Sequence, residues 1–225
     1  LDQLRPALEE VPAVGDVFVI GAGVDAFAPF AALAESMPDA APETIVEDRD
    51  PITYLYTSGT TSAPKGVVGN HLSIYLEALG VALDTGLVGS DRVAAMLPMF
   101  HTAQLNAGCT PVIAVGGAIH VRRGFDAAGL LDQIAAEGIT IIFGLPMMIR
   151  ALVEEQLARP RDLASLRLAI YAMAPIAKNE LEQAMAVLGC GFSLYFGQTE
   201  MSPVSTYFRP EHQLSHAGAA GTPLT

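Results

Sequence analysis

Short apolar runs alternate with amphipathic stretches along most of the chain. Runs rich in β-branched and aromatic residues, bounded by polar, Gly or Pro positions, predict strands at 16–20, 53–56, 92–97, 118–121, 140–143, 168–171 and 193–196. Between them, apolar positions spaced three and four apart predict helices over 26–36, 70–84, 104–115, 126–137, 146–157 and 178–188. Asn70 and Asp126 are good N-caps, because a short side-chain acceptor can reach the free amides of the first turn, and Gly138 is a good helix stop. Alternation of this kind predicts an α/β fold with mixed, largely parallel sheets flanked by helices. Residues 37–51 break the pattern. Three prolines and the acidic Asp39, Glu43, Glu47, Asp48 and Asp50 make this stretch a connector, so residues 1–50 are expected to lead into a core over 51–225. There is no internal repeat and no low-complexity tract.

Composition narrows the function. With 225 residues and 51% hydrophobic content the chain can bury a substantial core. A net charge of -12, with no basic stripe, argues against nucleic acid as a partner. The longest apolar runs, 17–20 and 139–146, are too short to cross a bilayer, and no basic segment followed by an apolar one opens the sequence. Cys109 and Cys190 stand far apart and outside any CxxC spacing, which reads as two buried thiols in a reducing compartment and hence a cytoplasmic protein. His71, His101, His120, His212 and His216 show no metal-ligand spacing, so any metal is expected to arrive with a nucleotide.

The densest chemistry lies in Tyr56-Thr57-Ser58-Gly59-Thr60-Thr61-Ser62-Ala63-Pro64-Lys65-Gly66-Val67. Hydroxyls at Thr57, Ser58, Thr60, Thr61 and Ser62 offer neutral donors. Gly59 and Gly66 allow backbone amides close to an anion, and Lys65 supplies a point charge. A solvated Ser/Thr/Gly turn would explain three or four such residues, but not the whole run. The spacing is not that of a Walker loop either, since Gly66 rather than a hydroxyl residue follows Lys65. Near the other end, Leu194-Tyr195-Phe196-Gly197-Gln198-Thr199-Glu200 sets a glycine, a hydroxyl and a carboxylate just past an apolar strand, where open α/β sheets bind ligands. Phe196 has a face for stacking on a purine, Thr199 a donor for a phosphate oxygen, and Glu200 a carboxylate for Mg2+ carried by ATP. Alone, that segment is also explained as a capped turn.

Read together, the two motifs resemble the phosphate-binding signature and the aromatic-Gly-x-Thr-Glu motif of the adenylate-forming superfamily, which includes acyl-CoA synthetases and peptide-synthetase adenylation domains. Three further segments fit the same order. Tyr171-Ala172-Met173-Ala174-Pro175-Ile176 resembles the small-residue loop beside adenine, Leu97-Pro98-Met99-Phe100-His101 the segment between nucleotide and acyl pocket, and Gly218 to Pro223 the Gly-x-x-Gly-x-Pro stretch. The sequence departs from the family at Ser62, where many members have glycine, and at Phe196, where tyrosine is common. Leu105 replaces a tryptophan gate found in some long-chain enzymes.

The resemblance implies part of the large N-terminal domain, and a reaction in which a carboxylate attacks the α-phosphorus of ATP, pyrophosphate leaves, and coenzyme A captures the acyl-adenylate. By similarity, Thr57, Ser58, Gly59, Thr60, Thr61, Ser62 and Lys65 hold the β- and γ-phosphates, and Thr57 with Glu200 coordinates Mg2+. Ala172, Ala174, Pro175, Phe196, Gly197 and Gln198 enclose the nucleoside, and Thr199 contacts the α-phosphate. His101, Thr102 and Leu105 line the passage to the acyl group. The ribose-binding Asp, the hinge and the mobile C-terminal domain with its adenylation lysine are expected beyond Thr225, so the isolated segment is expected to be nearly inactive. The segments Met96 to Met99 and Gly144 to Ile149 suit the walls of an alkyl pocket or ordinary core. No buried acid for a substrate amine can be placed, which favours fatty or other plain acids. Two alternatives remain open: transfer to a carrier-protein thiol, and a noncatalytic nucleotide-binding module.

Overall fold

The computed structural model describes residues 4–22, 27–58 and 63–225. The chain divides into two compact units, Leu1–Ile45 and Val46–Thr225. In the first, α1 (Leu4–Glu10), a two-residue parallel pairing of β1 (Phe18–Val19) with β2 (Ala28–Pro29), and α2 (Phe30–Ser36) contain no buried residue among those described. The strand predicted over 16–20 shrinks to two residues. The helix predicted from 26 begins only at Phe30, because Pro29 is extended (ψ 136°) and the residue before a proline is driven from the helical region.

The second unit carries the core. A seven-stranded sheet runs in the order β11 (Thr222–Pro223), β10 (Val204–Phe208), β9 (Gly191–Gly197), β8 (Leu168–Ala172), β7 (Ile141–Gly144), β5 (Arg92–Ala95) and β6 (Ala118–Val121). From β9 to β6 every pairing is parallel, whereas β10 and β11 add antiparallel strands at one edge. Side chains alternate between two apolar layers, as a period of two requires. Ala94, Ile142, Ala169, Tyr171 and Phe192 face α5 (Ala127–Glu137), α6 (Pro146–Ala158) and α7 (Lys178–Leu188). Val93, Ile141, Phe143, Ile170, Ala172 and Tyr195 face the opposite layer, which includes α3 (His71–Thr85). A strand covered on both faces has no need of polar alternation, so these runs read as nearly continuous apolar segments.

Local chemistry fixes the helix ends. Ser73 N–H donates to Asn70 Oδ1 at 2.8 Å and Gly129 N–H to Asp126 Oδ2 at 2.8 Å, while Gly138 closes α5 with φ +67°. The helix predicted over 104–115 is instead a π-helical segment, Ala103–Cys109, followed by the short α4 (Thr110–Ala114). Pro111 has no N–H to offer the carbonyl four residues back, and Thr110 N–H reaches five residues back to Leu105 O. The stretch around Lys65 also differs from a simple loop. Lys65–Asn70 forms β4, paired antiparallel with β3 (Pro51–Thr57) in a separate two-stranded sheet. Among the described residues no helix is long and apolar enough to cross a membrane.

Candidate functional site

The hairpin register brings the first motif to one point. Thr57 stands opposite Lys65, so Thr57, Ser58 and Lys65 meet at its loop end. Gly59, Thr60, Thr61 and Ser62 lie outside the described residues. The second and third motifs meet at the carboxyl ends of neighbouring parallel strands, because Ala172 of β8 registers with Tyr195 of β9. The loop Met173 to Pro175 therefore emerges beside Phe196 and Gly197. Met173 holds a positive φ of 72°, a conformation that side chains with a Cβ adopt at some cost.

One cavity of about 930 Å³ joins these parts. Thr57, Ser58 and Lys65 line it from the hairpin, and Ala172, Ala174 and Pro175 from the end of β8. Phe196, Gly197, Gln198, Thr199 and Glu200 line it from the end of β9, and His101 from the segment after β5. Lys65 and Glu200 are both exposed. Gly197 is required by a close approach. A Cβ there would lie 1.8 Å from Pro203 O, while Gln198 N–H donates to that same carbonyl at 2.9 Å and folds the Thr199–Met201 turn back toward β10.

His101 Nδ1 accepts a hydrogen bond from Ala103 N–H at 3.1 Å. A neutral ring in that bond carries its proton on Nε2. Gln104, wholly buried, accepts from Met96 N–H (3.2 Å) and Leu97 N–H (3.0 Å), which ties the π-helical segment to the end of β5. Tyr195, Phe143, Ala103, Ala107 and Met173 also line the cavity and were not picked out as site residues from the sequence. Tyr195 is fixed by a 2.6 Å bond to Thr85 Oγ1 and by ring contacts to Phe143 and Tyr207, and burial raises its hydroxyl pKa. The only sequence signal for it was its place in the Leu194 to Phe196 strand.

Two expected residues lie elsewhere. Thr102 is buried, accepts from Asn106 Nδ2 at 2.8 Å, and lines a separate 30 Å³ pocket that also touches Thr199 and Glu200. Leu105 lines neither space. The methionine-rich alkyl wall is not found at this cavity either. Met96, Met148 and Ile149 pack into the core beneath α5, α6 and α7, because strand alternation turns Met96 and the first turn of α6 to that side of the sheet. Among the described residues no group of three or more His, Cys, Asp or Glu side chains could hold a metal alone. The Glu200 carboxylate and the Thr57 hydroxyl are hard oxygen donors, and a set this small suits Mg2+ shared with substrate phosphates.

The model for AMP-binding enzymes matches residues 1–225. The chain is 30% identical over 189 residues to a feruloyl-CoA synthase of Amycolatopsis sp, covering 84% of this chain and 38% of that protein. It is 32% identical to the fatty acid–[acyl-carrier-protein] ligase ScoC of Streptomyces coeruleorubidus, covering 93% and 40%. Its fold superposes with a TM-score of 0.82, at 25% identity, on O-succinylbenzoate coenzyme A synthetase from Bacillus subtilis in complex with ATP and magnesium ion, covering 98% of this chain and 47% of that one. The chain thus spans less than half the length of these relatives. With its whole length matched and both ends of one cavity built from the motifs expected of nucleotide activation, the chain belongs to the AMP-binding enzyme family.

Proposed function

We propose that the protein carrying this chain activates a carboxylic acid with ATP as an acyl-adenylate and then forms a thioester with coenzyme A. The observation that carries the reading is the single cavity shared by Lys65, Thr57 and Ser58 on one side and Thr199 and Glu200 on the other. Adenylation brings two anions together, so catalysis rests on alignment and on cations and donors that neutralise charge moving onto pyrophosphate. Lys65 and the hydroxyls of Thr57 and Ser58 hold the β- and γ-phosphates. Thr199 donates to the α-phosphate, and Phe196 with the Ala172 to Pro175 loop encloses adenine. As the acid oxygen bonds to the α-phosphorus, the bond to the bridging oxygen breaks and pyrophosphate departs with that electron pair. Thiolate then attacks the acyl carbon and AMP leaves. Glu200 and Thr57 would hold Mg2+ together with the phosphates, and the ion would supply charge neutralisation there.

The substrate class is a plain carboxylic acid, with a fatty acid favoured. Ala103, Ala107, Phe143, Leu194 and Val204 give the cavity an apolar lining, and the side chains there that can carry charge, among those described, are Lys65, His101 and Glu200. A second reading, transfer to a carrier-protein thiol, is favoured by the likeness to the ScoC ligase. The test is pyrophosphate release by the protein at its full natural length, with short, medium, long and aromatic acids, with and without coenzyme A. Release with an aliphatic acid and thioester formation on adding coenzyme A is expected. Release without thioester formation selects the carrier-protein reading, and no release with any acid overturns adenylation in favour of a nucleotide-binding module.

A further inference from the structure

Helix α3 presents a stripe of polar residues to the antiparallel edge of the sheet. Glu77, Asp84 and Thr85 stand one and two turns apart around the buried Val81, and so share a face. Two of the three are docked. Thr85 bonds Tyr195 of β9, and Asp84 takes Arg209 just after β10 and, at 2.7 Å, Thr225 N–H after β11. Glu77, at the end of the stripe toward the start of β10, is 7% exposed, and neither of its carboxyl oxygens has a partner at hydrogen-bond geometry. What faces it is the backbone of Val204, the first residue of β10.

Val204 lines the cavity, pairs with Gly197, and follows the Pro203 carbonyl to which the Thr199–Met201 turn is tied. A shift of Val204 therefore moves the turn that carries Thr199 and Glu200. We propose that Glu77 is a positioning residue for nucleotide binding, its carboxyl seating the start of β10, and through it the Thr199–Glu200 turn, against α3. The inference rests on the nucleotide-binding reading of the cavity.

A buried carboxyl without a cationic partner keeps its proton, since ionising it would leave a charge in an apolar layer. Burial pushes the Glu77 pKa up to about 8, with the Val204 backbone opposing the shift. Titratable groups on the elements packed around α3 include Tyr195 of β9, Tyr207 of β10, Arg209 beyond it, Cys109 of the π-helical segment and Lys65 of β4; α3 itself carries His71, Tyr75 and Asp84, and Glu200 shares a small pocket with Ile74 of α3. Burial raises both tyrosines and the cysteine above their usual ranges, and Arg209 is paired with Asp84. Ionisation of Glu77 thus introduces an anion with no cationic partner beside β10 as pH rises through about 8.

The test is ATP affinity of the full-length protein, measured directly by calorimetry with Mg2+ from pH 6.5 to 9.5, for wild type and Glu77→Gln. Glutamine keeps the shape of the protonated acid and cannot ionise. Affinity of the wild type is expected to fall about tenfold between pH 7 and pH 9, a slope of tenfold per pH unit above the pKa, while E77Q matches wild type at pH 7 and stays level. Thermal midpoints across the same range separate a structural effect from a positioning one. If E77Q follows the wild-type affinity profile, or if it changes the midpoints while affinity is unchanged, the inference is overturned. The wild type alone also decides, because affinity independent of pH over this range overturns it with no variant needed. Binding is read without turnover, so failure of acid activation and failure of the Glu77 inference give different results.

Discussion

Replacing Gly197 by alanine should open the seam between β9 and β10. The added Cβ would sit 1.8 Å from Pro203 O, 2.8 Å from Pro203 C and 3.0 Å from Val204 Cα, all backbone atoms that no rotamer change can clear. Ordinary contact begins at 3.4 Å, so the Pro203 carbonyl must retreat by about 1.6 Å. That retreat breaks the bond from Gln198 N–H to Pro203 O and disturbs the Gly197–Val204 pairing. Overpacking costs about 1–3 kcal/mol and the lost bond about 1 more, so Gly197→Ala should destabilise by roughly 2–4 kcal/mol. Urea denaturation followed by circular dichroism reads the stability, and ATP affinity reads the cavity, which should weaken at least tenfold because Thr199 and Glu200 ride on the displaced turn. Gly189→Ala is the control. Gly189 has φ +67° and open space at its Cβ, so alanine there costs only the left-handed backbone strain, about 1 kcal/mol, and leaves affinity intact. Wild-type stability and affinity in the Gly197 variant would refute the close-approach argument.

Three other outcomes follow from the described contacts. Lys65→Met should raise the KM for ATP at least tenfold while leaving the urea midpoint unchanged, since Lys65 is exposed. Tyr195→Phe should cost roughly 1–2 kcal/mol by stranding the buried Thr85 hydroxyl, and a Thr85→Val, Tyr195→Phe double variant should recover part of it in a double-mutant cycle. At Asp91, burial raises the carboxyl pKa, but Arg167, Val88 N–H and Thr140 together hold it below its usual value. A lowered folded pKa means stabilisation present above about pH 4 and lost as pH falls through the folded value. Arg167→Met should therefore be less stable than wild type at pH 7, with the gap closing in acid, as read by urea midpoints against pH.

The parallel strands were legible because a strand covered on both faces must be apolar throughout, and 140–143 and 168–171 show it. Helices α3 and α5 were legible through Asn70, Asp126 and Gly138, whose capping chemistry is local. What escaped depends on partners distant in sequence. Lys-Gly-Val-Val-Gly-Asn becomes β4 only by pairing with β3 across the segment 58–64. Strands β10 and β11 need the free edge of β9, and the π-helical segment follows from what Pro111 cannot donate. In the cavity, the candidate ATP, acyl and Mg2+ residues were readable by their types, and the described ones except Thr102 and Leu105 line it. Tyr195 and Phe143 were not, since an aromatic in an apolar strand looks like core until the void beside it is seen. Glu77 was hidden for the opposite reason: a charged residue on an amphipathic helix is assigned to the solvent face.

Among the described residues β3 and β4 pair with each other and with no other strand, and none of their residues is buried, whereas every residue of β7 and β8 is. Amide protons of the ribbon should therefore trade with deuterated solvent through small local openings, well ahead of those in the central strands. On the proposed reading, the residues assigned to the β- and γ-phosphates thus ride on the part of the unit with the least to lose by opening. A cradle of that kind can release its cargo without disturbing the layers beneath it.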